Sequence, residues 1–326
     1  MKAIVNTKPG KLELCDYPMP EPGPEQVRIK TSACSICGTD LTMIDGCERS
    51  FYPAVLGHEW SGVVDKTGSG VDSGLTGKHC VAENVLKDGS EIGFEHPGGY
   101  CEYFITESNN IHLLLPVFPL ITAALIEPLA VSVRAIKRLS MTDTGSALIF
   151  GDGPIGLIML MLLRKAGVGN ITVVGGRKER LAAATSFGAT HILNYHEHGD
   201  RLSDVLKTKN KNGFPNISEA SGSETAINAA LKLAGRGGHI LILGEYSGII
   251  TDVNWQDFLL RELAITSSNA SADAWPEAVR LAVSHEIPLE LLVTHTVPVE
   301  EFEQGFELIR SGKNGCIKVV FDWMEK

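Results

Sequence analysis

The first third of the chain is built of short runs in which apolar and polar residues alternate. "MKAIVNTKPGKLEL" (1–14), "QVRIKTSAC" (26–34), "SGVVDKT" (61–67) and "GYCEYFIT" (99–106) read as strands, cut by Pro/Gly clusters such as "PEPGPE" and "HPGG". The pattern predicts a compact β-rich unit with no dominating helix. After Pro119 the period becomes helical in "ITAALIEPLAVSVRAIKRL" (121–139), with Pro128 expected to kink or interrupt the helix. A strand, a glycine turn and a helix follow in "GSALIFGDGPIGLIMLMLLRKAG" (145–167). "NITVVGG" is the next strand, and "RKERLAAATSFG" the next helix, ended by Gly188. "THILNY", "NISEAS", "HILILGE" and "ELAITSS" are further short apolar strands separated by helical stretches. Alternation at this spacing predicts an α/β chain whose middle part is a doubly wound parallel sheet. Past Ser268, "ADAWPEAVRLAVSHE" and "EEFEQGFELIRSG" read as amphipathic helices and "GCIKVVFDW" as a closing strand. The expected organisation is one domain made of residues 1–118 and 270–326, with a second, 119–269, inserted in it.

Composition narrows the function. The 326 residues carry a net charge of −10 with mixed signs, 44% hydrophobic and 21% charged residues, which argues against a nucleic-acid-binding face. The longest apolar run, "IGLIMLMLLRKAG", is broken by Arg164 and Lys165 and predicts a buried helix, not a membrane span. The N-terminus has no signal-peptide pattern, so a cytoplasmic protein with no membrane partner is expected. Seven scattered cysteines then mean free thiols or metal ligands, not a disulfide framework.

The sharpest local signal is "GDGPIG", a GxGxxG turn between a strand and a helix, with Gly151, Gly153, Pro154, Ile155 and Gly156 facing a dinucleotide pyrophosphate. Such turns have an acid about 20 residues on that holds the ribose 2′-hydroxyl. Here that place holds Gly175 and Gly176, followed by Arg177 and Lys178. Room plus positive charge predicts a 2′-phosphate, and so NADP rather than NAD.

A second constellation comes from Cys37 in "CSICGTD", His58 and Glu59 in "LGHEW", and Glu127 in "IEPLA". A thiolate, an imidazole and a carboxylate form a catalytic zinc set with one position left open. Cys34, which makes a CxxC with Cys37, is read as a buried strand residue.

These pieces, with "YPAVLGHEWSGVV", "GGYCEYF", "LIEPLAV" and "GCIKVVF", resemble the zinc-dependent medium-chain alcohol dehydrogenases across nearly the whole chain. The nearest branch is that of sorbitol, threonine and related polyol dehydrogenases. The resemblance implies a GroES-like β-rich catalytic domain plus a Rossmann cofactor domain, with the active site between them. It implies that Cys37 and His58 bind zinc. Glu59 and Glu127 are the third ligand and its alternate, or hold a zinc-bound water. Asp40 orients His58, and Thr39 bonds the substrate hydroxyl and passes its proton on. Thr42 stands where the family often has a relay histidine, so the route of that proton is open. "GGRKERLAAATSFGATHILNY" resembles the NADP-dependent secondary alcohol dehydrogenases of the family, which implies Gly176, Arg177 and Tyr195 as contacts of the 2′-phosphate. The segment 81–97 is short and has no cysteine where relatives hold a structural zinc, so one catalytic zinc per chain and no structural one is expected. The implied activity is hydride transfer between NADP(H) and a secondary alcohol/ketone pair (a polyol, amino alcohol or sugar derivative) by a homodimer or homotetramer. The rivals are a zinc-free enone or quinone reductase of the same fold, and a non-catalytic protein that only binds the cofactor.

Overall fold

The computed structural model describes residues 1–141, 143–246 and 248–324. Strands β1 (Lys2–Lys8) and β2 (Lys11–Asp16) form a hairpin about Pro9 and Gly10, so the N-terminal stretch that alternates as one strand is two. There follow β3 (Gln26–Ser35), α1 (Gly38–Asp45), β4 (Glu59–Thr67), β5 (His79–Ala82), β6 (Tyr103–Glu107), β7 (Ile111–Leu113), α2 (Leu120–Ala123) and α3 (Ile126–Arg138). The middle of the chain holds β8 (Ser146–Phe150), α4 (Pro154–Lys165), β9 (Asn170–Gly175), α5 (Lys178–Ser186), β10 (His191–Asn194), α6 (Tyr195–His198) and α7 (Leu202–Lys209). It continues through β11 (Phe214–Glu219), α8 (Glu224–Leu233), β12 (Ala234–Ile242), α9 (Trp255–Leu260) and β13 (Ala264–Ser267). The chain closes with α10 (Trp275–Val283), β14 (Val293–Pro298), α11 (Phe302–Ser311) and β15 (Lys318–Asp322). The helical stretch around Pro128 is interrupted before the proline, at Ala124 and Leu125. Pro128 sits in the first turn of α3, where a missing N–H leaves no bond unmade.

The chain divides into two compact units, Met1–Ala130 with Ala272–Lys326, and Val131–Ser271. The division falls inside α3 and not at 118/119, because α2 packs on β3 and β4, and the Ser61 hydroxyl donates to the Leu120 carbonyl in the interior of the first unit.

In the first unit a seven-stranded sheet runs β14-β15-β3-β4-β5-β7, with β6 also paired to β3; only β14 and β15 are parallel. Along β3, Val27 and Ile29 are buried while Arg28 and Lys30 are not, but from Thr31 to Ser35 every residue is buried. The strand therefore starts with one solvated face and ends inside the core. Trp60 packs edge-on against Phe104 at 4.7 Å, and Tyr100 against Phe306 and Phe321. Burial of such large side chains is the main stabilising term, about 25 cal/mol per Å².

The second unit is an all-parallel sheet in the order β10-β9-β8-β11-β12-β13. The direction of winding reverses between β8 and β11, and in open α/β sheets ligands bind beyond the carboxyl ends of the strands at that point. Helix α4 is buried continuously from Gly156 to Leu163, which explains its long apolar run. No helix among the described residues is long and apolar enough to cross a membrane.

Candidate metal centre and cofactor turn

The metal ligands predicted from the first third meet through strand register. Antiparallel pairing sets Ser35 of β3 opposite Glu59 of β4. Cys37 lies just past the end of one strand and His58 just before the start of the other, so the two residues converge. A thiolate sulfur of Cys37, a ring nitrogen of His58 and a carboxylate oxygen of Glu59 all lie within 4.8 Å of one another. Soft sulfur, imidazole and carboxylate at this spacing are the donors that zinc takes, and the residues fit that ion.

Asp40, fully buried in the first turn of α1, ties the group together. Its Oδ2 accepts from the Cys37 N–H (2.9 Å) and the Tyr100 hydroxyl (2.7 Å), and its Oδ1 lies 3.2 Å from His58 Nδ1. That last pair is close but poorly aligned, and neither atom has another partner. With Nδ1 turned to Asp40, Nε2 is the nitrogen left to ligate. Burial pushes the His58 imidazole toward its neutral form. The Asp40 carboxylate and the Cys37 thiolate outweigh this and hold its pKa well above the ordinary value. The ring stacks on Phe94 at 4.8 Å, and the Arg49 guanidinium, paired with Glu91 and Glu95, lies 4.1 Å from the Phe94 ring centroid. The imidazole plane is thus held by packing as well as by charge.

The carboxylates differ. Glu59 is buried, and both its oxygens accept from the ammonium of Lys318, while the Ser35 hydroxyl donates to one of them. Lys318 reaches it because β15 lies beside β3 with Val320 opposite Ser35. Glu127 falls outside the group of close ligand atoms. Burial, opposed by His58 and reinforced by Glu59, raises its carboxyl to about 7. Thr39 Oγ1 lies 3.7 Å from Cys37 Sγ, beside the metal group. Thr42 is exposed on α1, with no side-chain hydrogen bond among the described residues, and is not brought into this group. Cys34 is buried in β3, and Cys80 and Cys101 are buried and free.

The glycine turn has the geometry that its spacing implies. Gly151 has φ +115°, and a Cβ there would meet the Ala220 backbone at 2.8 Å. A Cβ at Gly156 would run into the Gly151 carbonyl oxygen, while at Gly153 the nearest atom is Arg180 Nη1 at 3.9 Å. The backbone is therefore tight at the first and third glycines and open at the second, the position where a pyrophosphate approaches. Pro154 and Ile155 begin α4, whose N-terminal dipole favours an anion.

At the carboxyl end of β9 the space of a Gly176 side chain is filled by the Tyr195 ring, 2.6 Å from an ideal Cβ. Arg177 is half-buried, with no ion pair among the described residues, and Lys178 is exposed. Asp152, the second residue of the turn, was not singled out by the sequence pattern. Its Oδ2 accepts from the Gly176 N–H (2.9 Å) and the Arg177 N–H (2.8 Å). Lys318, Ser35, Tyr100 and Phe94 were missed as well, since each reaches the site through a pairing or packing contact distant in sequence.

Comparison with known proteins identifies the family. The zinc-binding dehydrogenase model matches residues 154–284, and the alcohol dehydrogenase GroES-like domain model residues 23–116. An L-threonine 3-dehydrogenase of Bacillus licheniformis is 32% identical, with 98% of each chain covered. Among solved structures, one described as a short chain alcohol dehydrogenase from Escherichia coli CFT073, complexed with cofactor NADH, is 26% identical with a TM-score of 0.92, covering 99% of each chain. Galactitol-1-phosphate dehydrogenase from Escherichia coli is 26% identical with a TM-score of 0.88, covering 99% of this chain and 100% of that one. With a thiolate–imidazole–carboxylate group in its GroES-like unit and a glycine turn opening its parallel sheet, the chain belongs to the zinc-dependent medium-chain alcohol dehydrogenase family.

Proposed function

We propose that the protein is an oxidoreductase moving a hydride between a nicotinamide dinucleotide and a small polar secondary alcohol/ketone pair, with one zinc ion per chain. The observation that carries this is the convergence of Cys37, His58 and Glu59, in a chain that also has a well-formed phosphate turn. The same donor set weighs against the zinc-free reductase and the non-catalytic binder. When bound, zinc supplies Lewis acidity toward an alcohol or carbonyl oxygen, and the nicotinamide gives or takes the hydride. The chain's own groups do the rest. Cys37 and His58 hold the ion, Glu59 or Glu127 completes the set, and Asp40 fixes the imidazole through Nδ1. Thr39 Oγ1 accepts a hydrogen bond from the substrate hydroxyl and relays its proton onward, giving up its own hydroxyl proton as it takes that one.

The substrate class follows from the relatives: L-threonine 3-dehydrogenases on one side and a polyol phosphate dehydrogenase on the other make an amino alcohol or polyol the best reading. At the adenosine end, glycine at 175, Arg177 and Tyr195 support NADP. The apolar side chains of Trp255 and Leu259, 70% and 73% exposed on α9 just ahead of the edge strand β13, support self-association into a homodimer or homotetramer. The test is a panel of amino alcohols, polyols and their ketones with both cofactors, followed by nicotinamide absorbance, together with metal analysis. Turnover by a protein free of zinc, or no turnover on any of the panel by the zinc-loaded protein, overturns the reading.

A further inference from the structure

We infer that Asp152 supplies the acid that the end of β9 lacks, and so limits how strongly the cofactor site favours a 2′-phosphate. This rests on the proposed nicotinamide dinucleotide site and deepens it. The usual acid of such sites stands at the end of the second strand, where this chain has Gly175. An ideal Cβ built on Gly175 would lie 2.5 Å from Asp152 Cγ, so the carboxylate of Asp152 occupies the space from which an acidic side chain at 175 would extend. An acid at 175 and Asp152 are mutually exclusive, and the negative charge is kept while its point of attachment moves from one strand to the neighbouring turn.

The hydrogen bonds sharpen the point. Asp152 Oδ2 takes the N–H groups of Gly176 and Arg177. Those are the donors at the start of α5 that a 2′-phosphate would otherwise use. Asp152 Oδ1 has no hydrogen bond among the described residues and is free to accept from a ribose 2′-hydroxyl. A 2′-phosphate must therefore approach a like charge and share its donors. Arg177, whose guanidinium has no ion pair among the described residues, pulls the other way. The site sets the Asp152 carboxylate against Arg177, with Lys178 and Arg180 adding positive charge nearby, and it takes either cofactor.

The experiment measures dissociation constants of NADH and NADPH by fluorescence titration of the zinc-loaded protein and of Asp152→Asn, which keeps an acceptor for the two N–H groups and removes the charge. The expected result is a shift of the affinity ratio toward NADPH by about tenfold, the size of one charge-assisted hydrogen bond. A shift of threefold or less overturns the inference. On the unaltered protein, 2′-deoxy-NAD⁺ is expected to bind about tenfold more weakly than NAD⁺. Equal binding overturns the inference independently of whether the variant folds. Both reduced cofactors binding with an unmoved ratio removes only the role of Asp152, whereas neither cofactor binding removes the dinucleotide site itself.

Discussion

Lys318 donates to both carboxylate oxygens of Glu59, across 259 residues of sequence, in the interior of the first unit. Two unlike charges buried together hold each other in place, and removing one leaves the other without compensation. Lys318→Met is expected to lower unfolding free energy by about 3–5 kcal/mol. Lys318→Met with Glu59→Gln, which strands no charge, is expected to recover a substantial part of that loss. Urea denaturation of the three proteins checks this, and a single variant within ~1 kcal/mol of the parent would show the pair to be dispensable.

How much of this was legible in the sequence depended on where each partner comes from. Cys37, His58 and Glu59 stand in short local motifs, and the two strands that carry them are neighbours in sequence order. Lys318 is one cation in an apolar closing strand, and only the β15–β3 register, set by the fold as a whole, puts it on Glu59. The phosphate turn was legible because glycine spacing is a backbone requirement. Asp152 was not, since its side chain crosses from one strand's turn to the next strand's end. The helical break near Pro128 was readable as a break, but its place was not, because the first turn of a helix tolerates proline.

Asp40 is positioned to orient His58 while capping Cys37, so both predicted zinc ligands depend on one carboxylate. Asp40→Asn keeps the size and loses the charge. Zinc affinity, measured by competition with a chromophoric chelator, is expected to fall by about 10–100-fold. The stabilisation that added zinc gives to thermal unfolding should shrink in step, because an ion bound only by the native state raises its stability by mass action. Unchanged zinc affinity would remove Asp40 from the role of positioning His58.

Arg177 is the counterweight to Asp152. Arg177→Ala is expected to weaken NADPH binding by about 10–100-fold, the range of one to two charge-assisted hydrogen bonds, while NADH binding moves less than about threefold. The Arg177 side chain is half-buried at the start of α5 and makes no cap hydrogen bond, so the variant should keep the thermal stability of the parent. Equal losses for both cofactors would mean that Arg177 supports the loop and does not read the 2′ position.

His112 gives a pH dependence remote from the metal group. It lies on β7 and stacks on the buried Trp275 at 5.7 Å with nearly parallel rings, joining the N-terminal and C-terminal segments of the first unit. Burial lowers its pKa from the ordinary value of 6.5. The folded protein therefore binds this proton less readily than the unfolded chain. Stability is whole above pH 6.5 and declines as pH falls from there toward the folded pKa, because protonation favours the unfolded state. His112→Phe keeps a stacked ring with nothing to titrate. Its unfolding free energy should fall less than that of the parent between about pH 7.5 and pH 5.5. Parallel pH profiles for the two proteins would show that the stacked imidazole takes up its proton without cost to the fold.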